Sequence, residues 1–196
     1  MTSEQQETAG SRLVYQPPSS TDVVYWGPGV CLRFLATGKD TNGAYTQIEH
    51  VVAPGGGPPA HRHQREDETW YVVEGRVEFR IGDVTLLAQP GDYLRGPRGM
   101  AHVFQNVGER TARVLMTFVP GGIEHFFMEV FQPVGDRAAT PPAPPAELIA
   151  RMIQAAPRYG LEFFAMLPSL ESGAATKPGF DAHAPTPTGP PDSLQH

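Results

Sequence analysis

From residue 30 to residue 119 the chain alternates between apolar and polar positions in short bursts, each closed by a turn signal. Val77, Phe79 and Ile81 interleave with Arg76, Glu78 and Arg80, giving one apolar and one charged face, as in a half-buried strand. Residues 30–35, 44–52, 69–73, 84–87, 102–107 and 112–119 read as further strands, being rich in β-branched and aromatic side chains. Asn42-Gly43 is a strong hairpin signal. Glu74-Gly75, Gly82-Asp83, Gln89-Pro90-Gly91-Asp92 and Gly96-Pro97-Arg98-Gly99 supply further turns. The rhythm predicts about eight or nine short strands at the spacing of a barrel or sandwich.

After Pro120-Gly121-Gly122 the period changes. Ile123, Phe126, Phe127 and Val130 recur at helical spacing. A proline-rich stretch at 140–145 precedes a predicted helix over 146–156, with Leu148, Ile149, Met152 and Ile153 on one stripe and Pro157 as its stop. The expected organisation is a flexible lead-in (1–20), an all-β barrel (21–135), a linker with a C-terminal helix (136–170) and a disordered tail (171–196). No internal repeat is visible, so one barrel is expected.

Composition narrows the function classes. Gly and Pro contribute 21 residues each, which suits a turn-rich β domain. A net charge of −6 argues against nucleic acid, whose phosphates need clustered Lys and Arg. Cys31 is the only cysteine, which excludes an intrachain disulfide and a cysteine metal cluster. No apolar stretch is long enough for a membrane span, and the polar first ten residues lack the pattern of a secretion signal, so a cytoplasmic protein is expected.

His61 and His63 are two apart, so on a strand both imidazoles share a face and can bind one metal ion. Alone, such a pair is more often incidental. Glu68 opens the following strand, and its carboxylate can reach the same ion if the two strands lie side by side. The acidic run Glu66-Asp67-Glu68 otherwise reads as a solvated turn, which is the expectation for Glu66 and Asp67. His102 follows the Gly-Pro-Arg-Gly turn, and by itself it reads equally as a buried histidine with a hydrogen-bond partner.

Together these positions resemble the two motifs of the cupin family. Gly55, His61, His63, Glu68 and Gly75 match the first; Gly91, Pro97, Gly99, His102 and Asn106 match the second. The resemblance extends over about residues 25–135 and implies a cupin jelly-roll (double-stranded β-helix) barrel. It also implies one divalent transition metal held by His61, His63, Glu68 and His102, with Asn106 structural. A nitrogen and oxygen donor set without thiolate suits Fe, Mn, Ni, Co or Zn, and sequence alone does not choose among them.

Within the family the chain is similar to bacterial single-domain cupins of the quercetin 2,3-dioxygenase type, through residues 36–45 and 120–127. This implies a metal-dependent oxidoreductase that uses dioxygen on a small aromatic or enolic, flavonol-like substrate bound to the metal. Glu68 is the expected general base. Strand phase nominates Trp70 and Phe104 as substrate-lining residues, with ordinary barrel filling as the plain alternative. Phe126 and Phe127 are expected to pack inward over a barrel mouth, with His125 on the surface. The alternatives are a non-redox metal-assisted isomerase, cyclase or dehydratase of secondary metabolism, and a small-molecule-binding cupin without turnover. A homodimer paired through sheet edges is the expected assembly.

Overall fold

The structure is a computed structural model that describes residues 24–27, 29–134 and 146–164. The predicted lead-in, the proline-rich stretch at 140–145 and the predicted tail lie outside the described residues.

Strands β1 (Val24–Gly27), β2 (Val30–Ala36) and β3 (Thr46–Val52) open the chain, followed by β4 (His61–His63) and β5 (Asp67–Glu74). Next come β6 (Val77–Ile81), β7 (Val84–Ala88), β8 (Tyr93–Gly96), β9 (His102–Asn106) and β10 (Ala112–Val119). Helix α1 (Glu124–Val130) leads into β11 (Gln132–Val134); helix α2 (Ala146–Ala155) precedes β12 (Leu161–Phe163). The strands form two antiparallel sheets, one in the order β11-β1-β2-β3-β10-β5-β8 and the other β12-β4-β9-β6-β7. This is the all-β jelly-roll architecture expected.

Alternation in the sequence becomes the inside and outside of the barrel. In β3, β9 and β10 every second residue is buried, so Ile48 and Val52, Phe104, and Val114, Met116 and Phe118 fill the space between the sheets. The β2–β3 hairpin carries the Asn-Gly signal, with Asn42 and Gly43 both at positive φ (53° and 80°). Asn106 is structural: its side-chain amide donates to the carbonyls of Val52 and Arg110, and its oxygen accepts from the Gly108 N–H.

The helices close the barrel. Ile123, Phe126, Phe127 and Val130 of the α1 segment are buried, and His125 is exposed. Glu124, buried at the start of α1, accepts from the N–H groups of Gly38 and Gly122 and from the Thr46 hydroxyl. It thereby anchors the helix to the β2–β3 hairpin. In α2 the buried stripe is Leu148, Met152 and Ala155; Ile149 is half-buried and Ile153 faces outward, a shift of the expected face. The α-helix stops at Ala155, and Pro157 sits in a 3-10 turn (Ala156–Tyr159), where a missing N–H costs little. Gly160, at φ 72°, ends that turn and directs the chain into β12, which pairs with β4. The C-terminal extension is thus part of the barrel wall. Among the described residues, no helix is long and apolar enough to cross a membrane.

Candidate metal centre

Three strands converge on one point. His61 and His63 alternate with Arg62 along β4, so both imidazoles face the interior. β9 runs antiparallel beside β4 and pairs His102 with His61. Glu68 comes from the facing sheet, near the start of β5, in register with Phe118 on one side and Gly96 on the other. All four side chains are buried, and one donor atom from each lies within 4.8 Å of the others. The cluster has the donors and spacing to hold a metal ion.

The donor atoms crowd one point. Glu68 Oε2 stands 2.9 Å from His102 Nε2 and 3.2 Å from His63 Nε2. Even so, both Glu68 oxygens and His102 Nε2 are buried without an aligned hydrogen bond. Unsatisfied buried acceptors and nitrogens that share a centre are the pattern a cation would satisfy. The opposite ring nitrogens are held. His61 Nδ1 donates to the Pro59 carbonyl at 2.9 Å and His102 Nδ1 to the Met100 carbonyl at 3.1 Å, while His63 Nδ1 meets Glu66 Oε2 at 3.3 Å. Each tether turns an Nε2 lone pair inward.

Glu66 therefore departs from the solvated turn expected of it. It is buried, at 4% exposure, because its carboxylate reaches back to the imidazole three residues earlier. Asp67 is closer to the expectation but has partners: Arg95, and the backbone and side chain of Arg98. The hydrogen bond from the Arg98 N–H and the two guanidiniums hold its carboxyl well below the usual range.

Electrostatics follow the packing. Burial alone would raise the Glu68 carboxyl, but His102 and His63 outweigh it and carry it well below the ordinary value. Burial opposes the charging of His63 too, yet Glu66 and Glu68 raise it to about 9. His61 is lowered well below its ordinary value by burial and by its neighbours His102 and His63.

The centre opens on a cavity of about 470 Å3, mouth included, in which His61, His63 and Glu68 meet a wall of Phe104, Phe118, Phe126 and Phe127. Of the two residues nominated by strand phase, Phe104 lines this cavity. Trp70 does not: it stands edge-on behind His102, ring centroids 5.1 Å apart, and against Phe79 at 5.4 Å. Gly96 makes that position possible, since a Cβ there would fall 2.7 Å from the Trp70 ring. Sequence reasoning passed over three further groups of lining residues. Met116 and Phe118 on β10 share the phase of its buried positions. Met152, Leu161 and Phe163 come from the C-terminal extension. His50 sits on β3 in phase with Ile48 and Val52, a polar residue on an apolar face, which is the signal that could have found it.

Comparison with known proteins agrees with this architecture. Residues 48–118 match the family described as Cupin domain. Over 101 residues the chain is 26% identical to quercetin 2,3-dioxygenase of Bacillus subtilis, covering 52% of this chain and 30% of that protein. It is 34% identical to polyketide synthase CurC of Streptomyces cyaneus over 70 residues, covering 36% of this chain and 46% of that one. The matched region thus spans less than half the length of either relative. Among solved structures, an RmlC-like cupin from Shewanella frigidimarina superposes with a TM-score of 0.51 at 19% identity, covering 60% of this chain and 99% of that one. That likeness is one of fold.

Proposed function

We propose that this chain, whose residues 48–118 match the cupin domain family, is a metal-dependent enzyme, a dioxygenase acting on a small aromatic or enolic substrate. The observation that carries this reading is the buried set of His61, His63, Glu68 and His102 opening on an apolar, aromatic-walled cavity. A site with a few polar groups in a dry pocket is built to hold and orient a small molecule. The similarity to quercetin 2,3-dioxygenase supports the oxidative reaction class and the flavonol-like substrate.

A divalent ion held by these four residues would supply Lewis acidity that lowers the pKa of a substrate hydroxyl and, in a redox-active form, would let dioxygen react. The protein does the rest. The Nδ1 tethers of His61, His63 and His102 fix tautomer and ring orientation. Glu68, buried with neither oxygen engaged in an aligned hydrogen bond, accepts the proton of the substrate hydroxyl. Phe104, Phe118 and Phe127 exclude water and offer faces to an aromatic ring.

A second reading, non-redox cyclisation or isomerisation by the same residues, is favoured by the similarity to polyketide synthase CurC. Oxygen dependence separates the two. The reading also includes a homodimer joined through a sheet edge.

Elemental analysis of tag-free protein tests the premise, with His61→Ala/His63→Ala alongside. About one transition metal per chain, lost in the double variant, is expected, followed by oxygen uptake with flavonols as substrates. Protein that takes up no metal on reconstitution with several ions overturns the metal-dependent reading. Turnover without oxygen consumption moves the enzyme to the second.

A further inference from the structure

His50 is the polar residue that the cavity does not use for metal or for structure. It lies at the centre of β3, paired with Leu32 of β2 on one side and Val114 of β10 on the other, so its backbone is held in the middle of the larger sheet. Its side chain is 4% exposed and lines the cavity. Neither Nδ1 nor Nε2 has a hydrogen-bond partner among the described residues. The walls around it are apolar: its ring centroid is 6.2 Å from that of Phe104 and 6.4 Å from that of Phe127.

An imidazole left without protein partners in such a place is costly, since a buried polar group needs a partner. Its neighbours on the same face, Ile48 and Val52, show that an aliphatic side chain fits this strand. Burial lowers His50 to about 4 despite the opposing pull of Glu68, so at neutral pH it is an uncharged ring with one donor and one acceptor. The group it can pair with is a neutral oxygen, such as a hydroxyl or a carbonyl.

Its distance from the metal centre along the barrel sets the length of the molecule. His50 faces Phe104, which lies two residues beyond His102 on β9, or about 7 Å of strand. Between the two levels the cavity is lined by aromatic rings and Met116. The space suits a flat apolar body with oxygen at both ends.

We propose that His50 is a substrate-binding, specificity-determining residue that hydrogen-bonds an oxygen on the end of the substrate remote from the metal centre. The substrate class is thereby narrowed to compounds with an enol or phenol at one end and a second hydroxyl or carbonyl across an aromatic body. This rests on the reading of the cavity as a substrate site for small aromatic compounds.

The test uses metal-loaded full-length protein, wild type against His50→Leu and His50→Asn, with thermal unfolding, metal content and titration by two flavonols. Kaempferol and galangin differ only in the 4′-hydroxyl, at the far end of the ring attached beside the enol. His50→Leu is expected to keep its metal and to unfold no earlier than wild type, because no protein hydrogen bond is lost and an apolar side chain replaces the ring against Phe104 and Phe127. It is expected to weaken kaempferol roughly tenfold to a hundredfold while changing galangin little, with His50→Asn recovering part of the difference. Earlier unfolding of His50→Leu assigns His50 a structural role and overturns the proposal, as does equal weakening of both flavonols or of neither. Metal-loaded wild type that binds neither flavonol overturns the flavonol class under Proposed function instead; the unfolding comparison then decides His50 by itself.

Discussion

Glu68 and His102 approach to 2.9 Å across the two sheets of the barrel, yet no aligned hydrogen bond joins them. Two buried groups held so close and so poorly aligned form half of a site rather than a finished ion pair. The geometry depends on β5 and β9 lying in facing sheets, with Trp70 packed behind the imidazole.

Glu68→Gln keeps the shape of that side chain and removes its basicity. We expect the variant to fold and retain most of its metal while turnover falls by roughly a hundredfold or more. Metal content and kcat measured on one preparation check this. A variant with full metal and full turnover would show that Glu68 is a ligand without a proton-transfer role.

Glu66 touches no substrate, but it sets the orientation of His63 from 3.3 Å away. Glu66→Gln is expected to weaken metal affinity about tenfold to a hundredfold, the usual effect of removing such a partner. Competition with a calibrated chelator gives the number. Unchanged affinity would mean that β4 alone orients the imidazole.

The metal-free protein should be most stable near pH 6.5. His63, raised from 6.5 to about 9, contributes stability that is complete below pH 6.5 and lost as pH climbs through 9. His50, lowered from 6.5 to about 4, resists protonation when folded, so it costs stability as pH falls from 6.5 toward 4. His61 acts in the same direction. The depressed Glu68 carboxyl adds stability above its ordinary value of 4.5 that is lost on further acidification. Tm measured in excess chelator from pH 4 to 9 should trace a maximum. A Tm that keeps rising to pH 9 would contradict the ion pairing of His63 with Glu66 and Glu68.

Glu124 holds α1 over the barrel mouth through two backbone N–H groups and the Thr46 hydroxyl. Glu124→Ala takes the acceptor from the Gly38 N–H and the Thr46 hydroxyl, while the Gly122 N–H keeps Thr46 Oγ1, and should cost about 2–4 kcal/mol in urea unfolding. Because Phe126 and Phe127 line the cavity from the same helix, ligand affinity should fall as well. A loss within the error of the extrapolation would place the anchoring of α1 in its apolar contacts alone.

The edge strand β8 exposes Tyr93, at 63%, beside Tyr71 of β5 at 44%. If the homodimer forms through this edge, Tyr93→Asp converts it to a monomer, as light scattering will show. A monomeric wild type would remove the dimer from the reading.

Much of this protein was written in the local sequence. Strict alternation made the inward faces of β3, β6, β9 and β10 legible, because a strand's side chains have no choice but to take opposite sides. The motif positions from Gly55 to Asn106 carried a resemblance to the cupin family, and that resemblance pointed to the four candidate ligands. Strand phase alone could not say that Trp70 and Phe104, each two residues from a candidate ligand, would part company. Both point inward, but one packs behind His102 and the other faces the cavity, and only the relative placement of the sheets decides which. Glu66 looked solvated because its partner is an imidazole whose orientation exists only in the fold. The β12 strand had too few residues to register; it forms because β4, some hundred positions earlier, offers it an edge. Local pattern determined the elements and the donor types, which depend on neighbours in the chain. The cavity, its unpaired His50 and its C-terminal wall depend on contacts between distant segments, and only the tertiary structure could bring those together.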